Sequence, residues 1–467
     1  MAEEFELGGR PVGERGRHQS SGSRRRGGSG RGERNGGGSH NRNVRSDGSA
    51  LEPATTEQQQ VVFGIFVAMT IGITFFQKIG YAPSRAFVVP LILPLAYAAL
   101  AIGVLFARPV FRPERMIIYL VLAAVSTLSN VLFSPHFSIN SIALYLALYL
   151  PFLVCFDTTE ETHRRCLGFF GNVMLIFSAI VWAQQFIQFA TSWQYWPNLE
   201  HMVPKNYLIP MFNYIQPIEW GTGLNLMKPS GIFFLEVSIL SQFIAFAFII
   251  ELLFFHRTWR AVFLGATMFA TFAGTGLVLL AVCLPVILTR LNVRSFTIIL
   301  VTVFVAFLVA LELHWFDLVA HRLGEFQQSG SSANSRFIAP LDRIRAALEN
   351  QSAVYSGVGA GQIEQGGNTF WWPIVKTSVE YGLLEGILFY VFYLYSMFDK
   401  APSRQFAFVL AIWFSFEGTL LTPLNPLGCV MLSAMFCMRD ERRTRRRSSS
   451  SRHVEGQLDT PATAAAS

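Results

Sequence analysis

The sequence predicts an all-α polytopic membrane protein with about 12 transmembrane helices and two long loops on one face, and three observations carry that prediction. Hydrophobic residues make up 52% of the 467 and charged residues only 14%, with Phe alone present 43 times. Apolar runs of about 15 to 25 residues recur from Val61 to Met438, the length a helix needs to cross a bilayer. The Arg excess behind the formal charge of +7 sits in two tails and in short loops between apolar runs. That placement is a topology signal and not a nucleic-acid signal, so no nucleic-acid partner is expected.

Residues 1–58 are rich in Gly, Ser and Arg, as in "ERGRHQSSGSRRRGGSGRGERNGGG", and carry no apolar periodicity; a disordered basic tail is expected there. The first apolar run starts near Val61, too late for a secretory signal peptide, so the first span is expected to remain as an anchor. The tail 439–467, opening "RDERRTRRRSSSSRH", reads as a second disordered basic tail. Both serve as solvated orientation signals or touch anionic headgroups. The region 59–438 between them is expected to be the membrane domain.

Twelve spans are expected at roughly 61–76, 86–106, 116–133, 138–156, 167–190, 231–255, 261–274, 276–289, 296–313, 374–397, 405–421 and 426–438. With the N-terminus cytoplasmic, "ARPVFRPER" (107–115), "DTTEETHRRC" (157–166), "HRTWR" (256–260), "TRLNVR" (289–294) and "DKAPSR" (399–404) all fall inside, as the positive-inside rule requires. The stretch 261–289 reads either as one long tilted helix or as two short ones broken at "AGTG". Parity favours two, because Arg257 and Arg260 on one side and Arg290 and Arg294 on the other both belong inside.

Two long segments, 191–230 and 314–373, then lie outside and offer room for chemistry. Trp371 and Trp372 suit an interfacial anchor for the tenth span. "PLDRIRAALEN" (340–350) begins with a helix-compatible Pro and sets Leu341, Ile344 and Leu348 on one face, which predicts a short amphipathic helix at the interface. The five cysteines lie in spans or at the inner side, and no C-x-x-C occurs. Disulfides and a cysteine metal site are not expected. No Walker loop, H-E-x-x-H, G-x-S-x-G or D-x-D is present, which disfavours an ATP-driven pump and a nucleotide-sugar transferase.

Three stretches remain on the outer side. In "KPSGIFFLEVSILSQF" (228–243), Lys228 precedes a turn and Glu236 is expected about two helical turns inside the sixth span. A carboxylate at that depth costs several kcal/mol unless it faces protein or water. It serves either a reaction or a staple to Lys228. In "SSANSRFIAPLDRIR" (331–345), Arg336, Arg343 and Arg345 either grip phosphate as forks or form a solvated basic loop. In "SGVGAGQIEQGGNTFWWPIVKTSVEYGLLEG" (356–386), Gly357, Gly359 and Gly361 permit tight turns whose N–H groups suit an anion, and charge enters the helix after Pro373.

Taken in order, these stretches resemble the O-antigen polymerase and ligase superfamily, the Wzy-like and WaaL-like membrane proteins. The likeness covers residues 225–400 by motif: a basic residue before a small-Gly-Phe turn, "NSRFIAPLDRIRAAL" as the Ser-Arg pair leading into a helix, a G-x-G turn, an Asn loop and "VEYGLLEG". Ligases carry His before the loop Asn, whereas Gly367 precedes Asn368 here and no His lies in 322–373, which favours a polymerase. Arg is commoner than Lys at the position of Lys228, and the family's R-x10-G spacing is missed by one residue between Arg345 and Gly357.

The resemblance implies a GT-C-like fold in the bacterial inner membrane, both termini cytoplasmic and 191–230 and 314–373 periplasmic. It implies inverting, metal-independent polymerisation of undecaprenyl-diphosphate-linked oligosaccharide into O-antigen or exopolysaccharide, with no cofactor. Lys228 and Arg336 would hold the diphosphate, and Glu236, partly desolvated, would take the acceptor proton. Arg343, Arg345, Gly359, Asn368, Lys376 and Glu380 would bind substrate, while Glu385 would pair within the bundle. Membrane lipid, a chain-length regulator and a flippase are the partners implied. A ligase, or a flippase or carrier, is the alternative. Carriers tend to show two similar halves, which this sequence lacks; a plain scaffold is the third possibility.

Overall fold

The computed structural model describes residues 55–84, 87–134, 136–192, 195–209, 216–220, 224–289, 338–349, 357–363 and 371–438, with Asn334 and a few helical positions within 296–312. The tail segments 1–54 and 439–467, together with Arg336, Glu364 and Asn368, lie outside the described residues.

The chain is mostly helical. Thr55 opens α1 (Thr56–Phe75) through a capping box with Gln58, so the helix starts before the apolar run does. There follow α2 (Ile92–Phe106), α3 (Pro113–Phe133), α4 (Ile139–Tyr149), α5 (Glu160–Ala190), α6 (Val237–Ile250), α7 (Thr258–Ala270) and α8 (Gly274–Leu288). Beyond them lie α9 (Ala339–Glu349), α10 (Pro373–Tyr381), α11 (Leu383–Phe398), α12 (Arg404–Glu417) and α13 (Leu424–Cys429). Four helical stretches are long and apolar enough to cross a membrane: Thr56–Phe75, Pro113–Phe133, Glu160–Ala190 and Val237–Phe255. Shorter apolar helices occupy Ile92–Phe106, Ile139–Leu153, Gly274–Leu288, Leu383–Phe398 and Leu424–Ala434.

Helix α3 shows what solvent the bundle is built for. It buries Arg115, Tyr119, Leu122, Ser126 and Asn130, and turns Ile117, Leu120, Leu128, Val131 and Leu132 outward. A water-soluble helix does the reverse. An apolar exterior around a partly polar interior suits lipid, where inward polar groups hold helices together.

Several expectations are corrected. The sixth span does not begin at 231: its helix starts at Val237, because Gly231 (φ 62°) and Ile232 (φ 67°) turn the chain left-handed just before it. The tenth span is not one helix, since Gly382 (φ 98°, ψ 160°) separates α10 from α11. The run 261–289, by contrast, is two helices as parity favoured, with Phe272 (φ 55°) in the break between α7 and α8. The last span ends early, and residues 436–438 form a strand instead.

Three two-stranded sheets occur among the described residues. β1 (Gly80–Ser84) and β2 (Phe87–Pro90) pair antiparallel after α1. β3 (Phe156–Thr158) pairs in parallel with β6 (Phe436–Met438), and β4 (Pro217–Trp220) with β5 (Leu224–Met227) antiparallel. The β3–β6 pair closes the bundle at one end. There the fully buried Arg115 donates to the carbonyls of Phe152 (3.1 Å), Ala434 (3.2 Å) and Asp399 (3.0 Å) and meets the Asp399 carboxylate at 3.4 Å. The opposite end carries the described segments 195–209, 224–236 and 357–363, and the candidate site lies there.

Candidate functional site

The turn before α6 is gripped by two glutamines of α5 and by Gln77, just past α1. Gln188 of α5 brackets Met227, accepting its N–H at 2.8 Å and donating to its carbonyl at 2.9 Å. Gln184, one turn earlier on α5, accepts the N–H of Gly231 at 2.9 Å and donates to Pro197 O at 3.2 Å. Gln77, just past α1, accepts the N–H of Leu235 at 3.1 Å. The N–H groups of Met227, Gly231 and Leu235, which no helix serves, are thus paired by side chains. A β-branched Ile at φ 67° is a strained conformation, on the order of 1–3 kcal/mol, and persists only where its surroundings over-determine it.

This turn delivers Glu236 to the mouth of α6. The residue is the helix N-cap and not a position two turns inside; Phe233, Phe234 and Leu235 lengthen the apolar run without being helical. Its carboxylate does not cap the helix but accepts from the Ser238 hydroxyl at 2.8 Å. Lys228, half-buried at the start of the turn, donates its N–H to Gln216 O at 2.9 Å. Thr275 of α8 donates to Ser238 O at 3.0 Å and ties a second helix to the same mouth.

A second polar group is built around α10. Lys376 and Glu380 lie one helical turn apart and both are buried. The glycine loop folds onto this helix. Val358 N donates to Val379 O (2.9 Å), Gly359 N to Glu380 O (3.0 Å), Gly361 N to a Glu380 carboxylate oxygen (3.1 Å) and Ala360 N to the Asn130 side chain (2.8 Å). These amides are consumed inside the protein, so the expected anion nest at Gly359 is not formed. Only glycine fits at 359, where φ is 107° and a Cβ would stand 2.1 Å from His136 O. Glu385, beyond the break, accepts from Ser126 and from Tyr145 (3.2 Å) and so pairs within the bundle as expected.

Helix α12 stands between the two groups. Trp413 donates to Gln242 of α6 at 2.8 Å, and Phe416 meets the Trp372 ring, at the N-cap of α10, edge-on at 5.8 Å between centroids. A cavity of about 290 Å³ opens between α8 and α12, lined by Val278, Leu279, Val282, Trp372, Ile412, Trp413, Phe416 and Glu417. It is apolar apart from that one carboxylate.

Of the remaining expected site residues, Arg345 alone has its side chain among the described residues. Helix α9 spans Ala339–Glu349 and so covers the predicted amphipathic stretch; Arg345 on it is 82% exposed and, among the described residues, meets its own-helix neighbour Asp342 at 4.0 Å. Arg343 falls on the same helix, with its side chain outside the described residues, as are Arg336 and Asn368 altogether.

One buried cation escaped the sequence reading. Lys78 has no exposed side-chain surface, and its Nζ lies 3.5 Å from Glu200, in the segment 197–209 that crosses over it. Burial lowers its ammonium pKa from the ordinary 10.5, and the Glu200 charge offsets part of that effect. The available signals were a cation at the outer end of the first span, against the inside bias, and the Gln184–Gln188 pair at helical spacing in an apolar run. Among the described residues no group of three or more His, Cys, Asp or Glu side chains could hold a metal ion. No protein-family model, no curated protein and no solved structure matches the chain.

Proposed function

We propose that this chain polymerises undecaprenyl-diphosphate-linked oligosaccharide repeats at the periplasmic face of a bacterial inner membrane, by inverting glycosyl transfer. The observation that carries the reading is Glu236: a strained turn, gripped through Gln77, Gln184 and Gln188, places its carboxylate at a helix mouth where it does no capping. Strain maintained around a charged group points to a use for that group. The twelve-span topology belongs to this proposal; four long apolar helices and five shorter ones are the parts of it among the described residues.

In the reaction, Lys228 and Arg336 hold the diphosphate as charge develops on it, and Glu236 takes the proton of the acceptor hydroxyl. The hydroxyl oxygen bonds to the anomeric carbon as the bond to the diphosphate oxygen breaks, and the configuration inverts. The apolar cavity beside Trp372 suits the hydrocarbon of the lipid carrier. The pathway's flippase and chain-length regulator are the partners that this role requires.

A carrier is the second reading, favoured by the helix break at Gly382 beside buried Lys376 and Glu380, since discontinuous helices with buried charge also form transport sites. Cells decide between them. Loss of the chain should accumulate single repeats on the lipid at the periplasmic face, and restoring it as Glu236→Gln should leave that accumulation in place. Normal polymer from the Gln variant removes the proposed base, and repeats trapped on the cytoplasmic face make the chain a carrier.

A further inference from the structure

We propose that Arg164 and Arg257 form a headgroup site for an anionic phospholipid at the end of the bundle closed by β3 and β6, with the Phe255 ring holding both guanidinium groups and Trp259 anchoring the site in the interface. The inference needs a membrane around the chain and is independent of the reaction proposed above.

The chain builds a basic, aromatic corner at this end. Helix α5 starts just after β3, and His163 in its first turn meets the Phe436 ring of β6 edge-on at 5.0 Å between centroids. Helix α7 starts nearby, because the π-helical turn Glu251–Phe255 and the left-handed His256 (φ 55°) end α6 and turn the chain. The Phe255 ring serves both starts: Arg257 lies 4.6 Å and Arg164 5.9 Å from its centroid. Arg164 also donates to Phe254 O, which fixes its place. A ring face attracts a guanidinium and sets the plane of its fork; both arginines are exposed, so their N–H edges can reach an oxyanion.

The positive charge here is only partly neutralised. Arg260 is taken up by the buried Glu251 (3.3 Å) and by Asn172 (2.9 Å). Arg164 meets Glu160 at 3.8 Å, but the two side chains are 49% and 75% exposed, and such a surface pair contributes little. Arg257 forms no ion pair among the described residues. Two like charges held against one ring repel, and a phosphate between them replaces that repulsion with charge-assisted hydrogen bonds.

The surroundings select a lipid over a free anion. Trp259, two residues after Arg257, is 86% exposed, a position that suits an indole at headgroup level. From this corner α5 and α7 run on side by side, tied by Trp182 to the Thr267 hydroxyl (3.1 Å) and by Gln185 to Ala270 O (3.1 Å). Beyond the arginines their exteriors carry Ile176, Trp182, Phe263 and Phe269, all exposed. Cationic forks at one end of an apolar flank match a molecule that joins an anionic headgroup to hydrocarbon chains.

The test reads Trp259 in phosphatidylcholine nanodiscs that hold a minor share of either dibrominated phosphatidylglycerol or dibrominated phosphatidylcholine, since bromine quenches an indole on contact. The purified full chain is compared with Trp259→Phe, and the difference isolates the Trp259 signal. Phosphatidylglycerol should be enriched at Trp259 about fivefold or more over phosphatidylcholine, the gain expected from one or more arginines at a phosphate. Arg164→Gln combined with Arg257→Gln should remove the enrichment. Arg108→Gln, at an exposed arginine in the loop after α2, should leave it in place. If the double variant folds poorly, Arg257→Gln alone should lower the enrichment severalfold. No enrichment in the wild type, or enrichment that survives the arginine replacements, overturns the inference. Equal loss in Arg108→Gln makes the effect one of net charge and also overturns it. Loss of the enrichment on adding inorganic phosphate at constant ionic strength assigns the site to a free anion and overturns the lipid assignment. None of these outcomes alters the transferase reading.

Discussion

Replacing Gly359 by Ala tests whether the glycine loop is a structural clasp on α10. The added Cβ would sit 2.1 Å from His136 O, well inside contact distance, at a backbone φ of 107° that side chains rarely adopt. Relief requires the loop to shift. That shift breaks the bonds of Gly359 N to Glu380 O (3.0 Å) and of Ala360 N to Asn130 (2.8 Å). Backbone strain of about 1–3 kcal/mol and about 1 kcal/mol for each lost bond add to about 3–5 kcal/mol. Gly64→Ala in α1 is the matched control: nothing lies within 4 Å of its added Cβ, and helix propensity favours Ala by about 0.5–1 kcal/mol. All five cysteines are buried, so a thiol-reactive dye reports unfolding on heating in detergent. Gly359→Ala should melt well below the wild type, with Gly64→Ala at or above it. Equal melting of Gly359→Ala and wild type refutes the clasp.

Three further outcomes follow from the same structure. Alkaline phosphatase fused at Asn198 or Gln351 should be active and at Asp157 or Asp399 inactive; the reverse pattern overturns the proposed topology. Arg115→Ala should destabilise by about 3–5 kcal/mol, because it strips three carbonyls and Asp399 of one buried partner, and melting at the wild-type temperature contradicts this. The Lys78 pKa is lowered by folding, so between its folded value and 10.5 the unfolded chain binds more protons, and stability rises with pH across that window. Lys78→Met should abolish that alkaline rise; a variant that keeps it places the titration elsewhere.

The four long apolar helices were legible in the sequence because hydropathy over a span-length window picks out stretches long and apolar enough for a bilayer. The break between α7 and α8 was legible too, since Arg placement on both sides demanded an even number of crossings. Helix starts were not. Phe233, Phe234 and Leu235 extend an apolar run that the left-handed turn at Gly231 and Ile232 excludes from the helix, which moved Glu236 from an expected depth of two turns to the N-cap. Hydropathy counts composition, whereas the helix start depends on where the N–H groups find partners. At Gly359 the sequence revealed the need for unusual dihedrals but not the acceptor, and Glu380 took the N–H that an anion was expected to receive. Lys78 was missed because its partner Glu200 is 122 residues away in sequence, a pairing that no local pattern encodes.

Reconstitution addresses the central claim most directly. Purified protein in nanodiscs, supplied only with undecaprenyl-diphosphate-linked repeats and no nucleotide, metal or ion gradient, should yield longer lipid-linked chains with release of undecaprenyl diphosphate, read by mass spectrometry. Glu236→Gln should bind the substrate and give no product. Repeats recovered unchanged with the wild type, or joined only singly to a lipid A acceptor, would contradict the polymerase account.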